Sequence, residues 1–128
     1  MRMTPDDTRR NIGARGEDAA AAYLENAGMK LEARNWRCPT GEIDVVARDG
    51  QTLVLCEVKT RRTVGKGLPE EAVGPAKQKR LAKLARAYIA TLAKEPAAVR
   101  FDVVTLLVIA PDRALLRHHR SAFVVDER

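Results

Sequence analysis

Glu42, Asp44, Glu57 and Lys59 lie within the stretch GEIDVVARDGQTLVLCEVKT, Gly41–Thr60, at positions where a plain hairpin would carry threonine or valine. Acids that close across two strands repel by an amount comparable with a favourable cross-strand contact. A divalent cation would offset that repulsion. Mg²⁺ (or Mn²⁺) takes one or two carboxylates and fills its remaining positions with water and phosphate oxygen. A lysine two residues after the second acid stays on that acid's face of the strand. There its ammonium can orient a water or neutralise charge building on a phosphate. Acid pair, metal and lysine together suit phosphodiester hydrolysis.

Whether these charges converge depends on the turn. Asp49-Gly50 is a strong short-range hairpin signal. If those two residues form the turn, Arg48 pairs with Gln51, and Glu57 is the diagonal neighbour of Asp44. If the loop has four residues, Asp44 lies directly opposite Glu57. Either even loop puts Glu42, Asp44, Glu57 and Lys59 on one side, and only an odd loop or a bulge would separate them. The alternative is that they are solvated residues on the wet face of an antiparallel sheet. Glu17 adds a further acid. It precedes Ala20 and Leu24 by three and seven residues and shares their apolar stripe, although an acid near a helix start also suits the dipole.

The elements that must position these residues follow from periodicity. Residues 1–10 are polar and read as a flexible N-terminus, with a single domain over 11–128. Asn11 to Ala27 is alanine-rich and helical, and Gly28 is a C-cap candidate. Strands are expected over Met29–Trp36, Glu42–Arg48 and Thr52–Thr60. Arg61–Pro75 holds three glycines and two prolines and reads as a mobile loop. Ala76–Ala93 is the clearest helix. Leu81, Leu84, Ala85, Tyr88, Ile89 and Leu92 form its apolar stripe, with Lys79, Arg80, Lys83 and Arg86 on the other side. Phe101–Ile109 and Ala114–Arg120 read as strands, and SAFVVDER is ambiguous. The order helix, three strands, helix, two strands implies an α/β or α+β domain with a mixed sheet and packed helices.

The 128 residues suffice for one compact core, and 45% hydrophobic with 31% charged residues fits a globular protein. Net charge is +6, which suits nucleic acid among other partners. Aromatics are 4%, which argues against bases stacked on a platform of rings. Cys38 and Cys56 make no metal pattern, and Cys56 reads as a small core residue. No secretory signal or membrane span is evident, so the expected location is a reducing cytoplasm.

RGEDAAAAYL, GEIDVVARDG, EVKTRR, AKQKRLAKLARAYI and RFDVV occur in this order over about Arg15–Val104. In that layout the chain resembles the YraN family of bacterial predicted endonucleases, a branch of the PD-(D/E)XK superfamily, and resembles archaeal Holliday-junction resolvases most closely in motif order. The resemblance implies a restriction-endonuclease-like fold with a central mixed sheet flanked by helices. It implies Asp44 and Glu57 as metal-binding acids, with the Val58 carbonyl facing the metal and Lys59 as the catalytic lysine. Glu17 matches the helix-borne acid of the resolvase-like branch. Gln78, or Lys77 beside it, would reach the same pocket from the second helix. A homodimer is compatible with the resolvase likeness.

For nucleic-acid binding the candidates are Arg61, Arg62 and Lys66 on the loop, and Lys77, Lys79, Arg80 and Lys83 on the second helix. Such groups bind backbone phosphates without regard to sequence, although lysines on a wet helix face are often only solvated. His118 and His119 read as surface residues. The leading expectation is a Mg²⁺-dependent endonuclease acting on DNA, branched or single-stranded forms included. The alternatives are a non-catalytic nucleic-acid-binding module on the same fold, and a protein-interaction domain using the apolar segment near Phe123.

Overall fold

A proline opens the first helix. The computed structural model of this chain describes residues 5–62 and 74–123, with side chains for 14–62 and 74–121. Helix α1 spans Pro5–Asn26, so it begins ahead of the predicted Asn11 and takes in most of the segment read as a flexible terminus. The first helical position suits proline, whose φ is already helical and whose missing N–H would have had no partner. The far end closes with Gly28 at φ +98°, while the Met29 N–H reaches back to the Leu24 carbonyl at 3.0 Å. Only a residue that tolerates a left-handed backbone allows that closure.

Five strands follow: β1 Lys30–Cys38, β2 Gly41–Asp49, β3 Thr52–Arg61, β4 Ala98–Ala110 and β5 Arg113–Phe123, with helix α2 Pro75–Ile89 between β3 and β4. They form one sheet in the order β1-β2-β3-β4-β5. The β3–β4 pair is parallel and its neighbours are antiparallel. A parallel pair needs a long crossover, which α2 supplies. The strands are longer than the apolar runs predicted. Ser121–Phe123 of the ambiguous tail continues β5, and residues 124–128 lie outside the described residues. Conversely α2 stops at Ile89 rather than Ala93. The Thr91 hydroxyl donates to the Tyr88 carbonyl at 2.7 Å, an alternative that threonine offers the last turn of a helix.

The helices cover opposite faces. Ala20 and Leu24 of α1 pack with Val45, Ala47, Val54, Cys56 and Val104. Leu84, Ala85 and Tyr88 of α2 pack with Ile43, Val46, Leu53, Leu55 and Phe101. This is a single small α/β domain, a five-stranded mixed sheet with two helices, consistent with a restriction-endonuclease-like fold.

Two irregularities in β1 and β2 aim side chains. At the bulge between Leu31 and Ala33, Leu31 faces the α1 core and Ala33 the α2 core. Glu32 is thereby free to meet Arg48 and to accept from the Tyr88 hydroxyl at 2.8 Å. Further along, Asn35 has φ +52° and lies across from Asp44 in the β1–β2 register. Alternation fails on both strands there. Ala33 and Trp36 share the α2 face, and so do Ile43 and Val46, although three residues separate each pair. The chain is kinked at the level of Asp44, as strands often are beside sites.

Helix α1 approaches β3 closely at Gly16, where a methyl group would overlap the Thr60 hydroxyl. Gly16→Ala should therefore destabilise the fold by about 1–3 kcal/mol despite alanine's better helix propensity. Urea unfolding checks this, and an unchanged or raised midpoint would contradict the close approach.

Candidate active site

The turn falls one residue later than Asp49-Gly50. Asp49 pairs with Thr52 and Arg48 with Leu53, so Gly50 and Gln51 make the turn, with Gly50 at φ +61°. The alternative in which Arg48 pairs with Gln51 is excluded. Pairing continues to Val45 and Cys56, and one step beyond it stand Asp44 and Glu57. The strands part at that point. In a continued ladder the Val58 N–H would be directed at Ile43, but it donates to Asp44 Oδ2 at 2.8 Å. The Val58 carbonyl leaves the strand on the same side as its N–H, into the fork.

Glu42, Asp44 and Glu57 line the cleft between this fork and α2, and Asp102 of β4 borders it as well. Lys77, Arg80 and Leu81 close it from the helix. Burial pushes the Asp44 carboxyl up to about 6. The Val58 N–H opposes the rise, while Glu17, Glu57 and Glu42 add to it by like-charge repulsion. Glu17, half-buried on α1, is therefore within electrostatic reach of the cluster, as its stripe predicts. Glu42 is exposed and pairs with Arg37 at 3.5 Å.

Among the described residues Glu57 takes its side-chain hydrogen bond through one oxygen. Lys77 Nζ donates to Oε1 at 2.7 Å, while Oε2 is buried and accepts no hydrogen bond among the described residues. Lys59 lies against both Glu57 and Lys77. Burial draws its ammonium below the usual lysine range, Lys77 and Arg61 add to this, and Glu57 opposes it. Sequence favours Gln78 for reaching the pocket from α2. The side chain that bonds Glu57 is instead Lys77, with Gln78 half-buried next to it.

Does this donor set fit a metal? No group of three or more His, Cys, Asp or Glu among the described residues is placed to hold one. The cleft offers two carboxylates, an orphaned Glu57 oxygen and the Val58 carbonyl direction. That suits a largely hydrated Mg²⁺ or Mn²⁺, which completes its shell with water and phosphate, rather than a cation that needs a full protein cage. Asp44, Glu57 and Val58 are the residues that would hold it.

Arg61, Arg62, Lys79, Arg80 and Lys83 are exposed, and Arg80 also borders the cleft. Lys66 lies outside the described residues.

Sequence reasoning missed a second polar cluster, on the α1 face. The Asp102 side chain is fully buried and that of His118 is 4% exposed, with His118 Nε2 and Asp102 Oδ2 2.7 Å apart. His118 is thus not the surface residue expected, and His119 is half-buried. Arg100 donates twice to Asp102, at 2.9 and 3.0 Å, and once to Asp49 at 2.9 Å. The Ser121 N–H adds a bond at 3.0 Å. Tyr23 meets the His118 ring edge-on, with ring centroids 5.3 Å apart. Burial works against the Asp102 anion, but Arg100, the Ser121 N–H and His118 together hold its carboxyl below the usual range. The available signal was an aspartate inside the apolar run RFDVV, since an acid buried in a central strand must be paired.

Comparison with known proteins places the same span in a conserved group. The family model described as Uncharacterised protein family UPF0102 matches residues 16–106. A UPF0102 protein of Symbiobacterium thermophilum is 54% identical over 114 residues, covering 89% of this chain and 97% of that protein. One from Geobacter sulfurreducens is 47% identical over 112 residues, covering 88% of each chain. One from Acidothermus cellulolyticus is 47% identical over 125 residues, covering 90% of this chain and 95% of its relative.

Proposed function

This chain belongs to the UPF0102 family, and from its cleft we propose that it is a Mg²⁺-dependent endonuclease that hydrolyses phosphodiester bonds in DNA, branched or single-stranded forms included. The observation that carries the reading is the fork between β2 and β3, where Asp44 and Glu57 stand side by side and Lys59 lies near Glu57. The ordered motifs that resemble the YraN endonuclease-like family support the same reading.

Each residue has a distinct task. Asp44, Glu57 and the Val58 carbonyl would hold the cation. A bound Mg²⁺ supplies Lewis-acid stabilisation of charge on the phosphate. Lys59 orients the attacking water or balances charge on the phosphate, and its lowered proton affinity lets it exchange a proton more readily than a free lysine. Glu17 completes the acid cluster from α1. Arg61, Arg62, Arg80 and the exposed lysines Lys79 and Lys83 track the phosphate backbone, an interaction that should weaken steeply with salt. No helix among the described residues is long and apolar enough to cross a membrane, and we place the activity in the cytoplasm.

Purified protein should cleave at least one substrate in a panel of branched, flap, single-stranded and duplex DNA in Mg²⁺ or Mn²⁺, and Glu57→Ala should not. Equal background from both proteins across the panel, RNA included, would overturn the enzyme reading. One observation favours a second reading, a nucleic-acid-binding module without catalysis: Lys77 pairs with Glu57 at 2.7 Å, so a lysine can balance this carboxylate in a cation's place. That module would bind DNA in a salt-dependent way that survives Glu57→Ala and EDTA.

A further inference from the structure

We propose that Lys77 is a positioning residue that competes with the divalent cation for Glu57 and so sets how tightly this site binds metal. The inference rests on the metal site argued above and goes beyond it. The contact is short and specific: Lys77 Nζ to Glu57 Oε1, 2.7 Å, with side chains 25% and 27% exposed. An ammonium at that distance takes one lone-pair direction of Oε1 and sets a positive charge within a few ångströms of any cation bound to the same carboxylate, Oε2 included. The two compete for one negative charge, so each weakens the hold of the other.

The surroundings make this more than a surface ion pair. Glu57 Oε2 is buried and accepts no hydrogen bond among the described residues, so Lys77 is the principal partner that keeps the carboxylate in the cleft. Asp44 stands beside Glu57 and repels it, and the Lys77 ammonium at 2.7 Å offsets that repulsion. Lys77 also comes from the first turn of α2, two residues after Pro75 starts the helix. Its backbone is therefore fixed, while its four-carbon stem can swing. Arg80, one turn later, lines the same cleft but is exposed, and among the described residues it makes no ion pair with Glu57. The two cations thus differ in contact while sharing charge and neighbourhood.

Competition has a sign opposite to that of a merely structural lysine. A structural contact, once removed, loosens Glu57 and weakens cation binding. A competitor, once removed, leaves Glu57 to the cation and strengthens it. Long-range repulsion between cations also predicts strengthening, but equally for Lys77 and Arg80.

The experiment is Mn²⁺ titration by calorimetry on the full chain without nucleic acid, for wild type, Lys77→Met, Arg80→Met and Glu57→Gln. Thermal unfolding with and without Mn²⁺ is the parallel readout. Lys77→Met should bind Mn²⁺ about ten-fold more tightly than wild type, the scale of one charge-assisted hydrogen bond. Arg80→Met should bind within about two-fold of wild type, as expected for screened charge at the surface. Mn²⁺ should also raise the melting temperature of Lys77→Met more than that of wild type. If Lys77→Met binds Mn²⁺ no more tightly than wild type, or gains no more than Arg80→Met, competition is wrong while the metal site stands. If no variant binds Mn²⁺, or Glu57→Gln binds as wild type does, the metal site itself fails and the competition fails with it. If Lys77→Met proves too unstable to titrate, Lys77→Gln, which can still donate a hydrogen bond to Glu57 without its charge, should give the same ordering.

Discussion

Asp44→Asn should abolish metal-dependent cleavage and, in the same protein, raise stability at pH 8. The two effects share a cause. Burial and the neighbouring Glu17, Glu57 and Glu42 push the Asp44 carboxyl up to about 6, against roughly 3.9 for a free aspartate. The folded state therefore holds this proton more tightly than the unfolded chain. Its contribution to stability is fully present below about pH 4 and is lost as pH rises through about 6. At pH 8 wild type carries the whole cost of the anion. Asparagine is neutral, and its amide oxygen can still accept from the Val58 N–H. Discounted for the half-exposed position, the gain should be about 1 kcal/mol at pH 8, shrinking towards zero near pH 4. The loss of cleavage should be about 10³-fold, because several kcal/mol of phosphate charge stabilisation depends on the cation. Thermal unfolding from pH 4 to 8 beside a cleavage assay checks both. A variant that is less stable at pH 8, or a stability difference that does not change with pH, would remove the electrostatic account of the cluster.

The second large effect lies away from the cleft. Asp102→Ala should cost about 3–5 kcal/mol, the range for breaking a buried ion pair from one side. Arg100 would keep only Asp49, the Ser121 N–H would lose its acceptor, and His118 would be stranded with Tyr23 inside the α1 face. His118→Phe should cost less, because the ring still packs on Tyr23 while Arg100 and Ser121 still satisfy Asp102. Wild-type stability should fall in acid. With the Asp102 carboxyl held below its usual range, its contribution is present above about pH 4 and disappears as pH drops through the lower folded value. Urea unfolding of the three proteins at pH 7 gives the ordering, and an Asp102→Ala midpoint close to wild type would show that the cluster is ornamental.

The legible parts of this molecule were those written in short-range chemistry. Alanine content and Gly28 located α1, the leucine stripe located α2, and an even turn brought Asp44 and Glu57 to the same level. Of the two even loops left open, the four-residue one gives the observed register, with Asp44 level with Glu57; pairing only runs one step further, to Asp49 and Thr52, and leaves Gly50-Gln51 as the turn. The illegible parts depend on long-range partners. Nothing local distinguishes Lys77 from Gln78 until α2 is laid across the sheet and one of them meets Glu57. His118 reads as exposed in an alternating strand, and only the buried Asp102 on the neighbouring strand makes it an interior residue. The kink opposite Asn35 is likewise invisible to a period of two, which assumes the alternation that the kink breaks.

The fork that separates β2 from β3 also bears on how the chain folds. Asp44 and Glu57 belong to one local hairpin, whereas Lys77 and β4 reach them only after the crossover through α2 has closed. Local pairings form before those that must close long loops. The hairpin therefore brings the two acids together with Lys59, near Glu57 on the same strand, as local compensation, and the Lys77 ion pair should follow only once the crossover has closed. Acids placed in this way should slow the early pairing of the hairpin, and acid pH or the Asp44→Asn change should speed it, a difference that stopped-flow refolding would read.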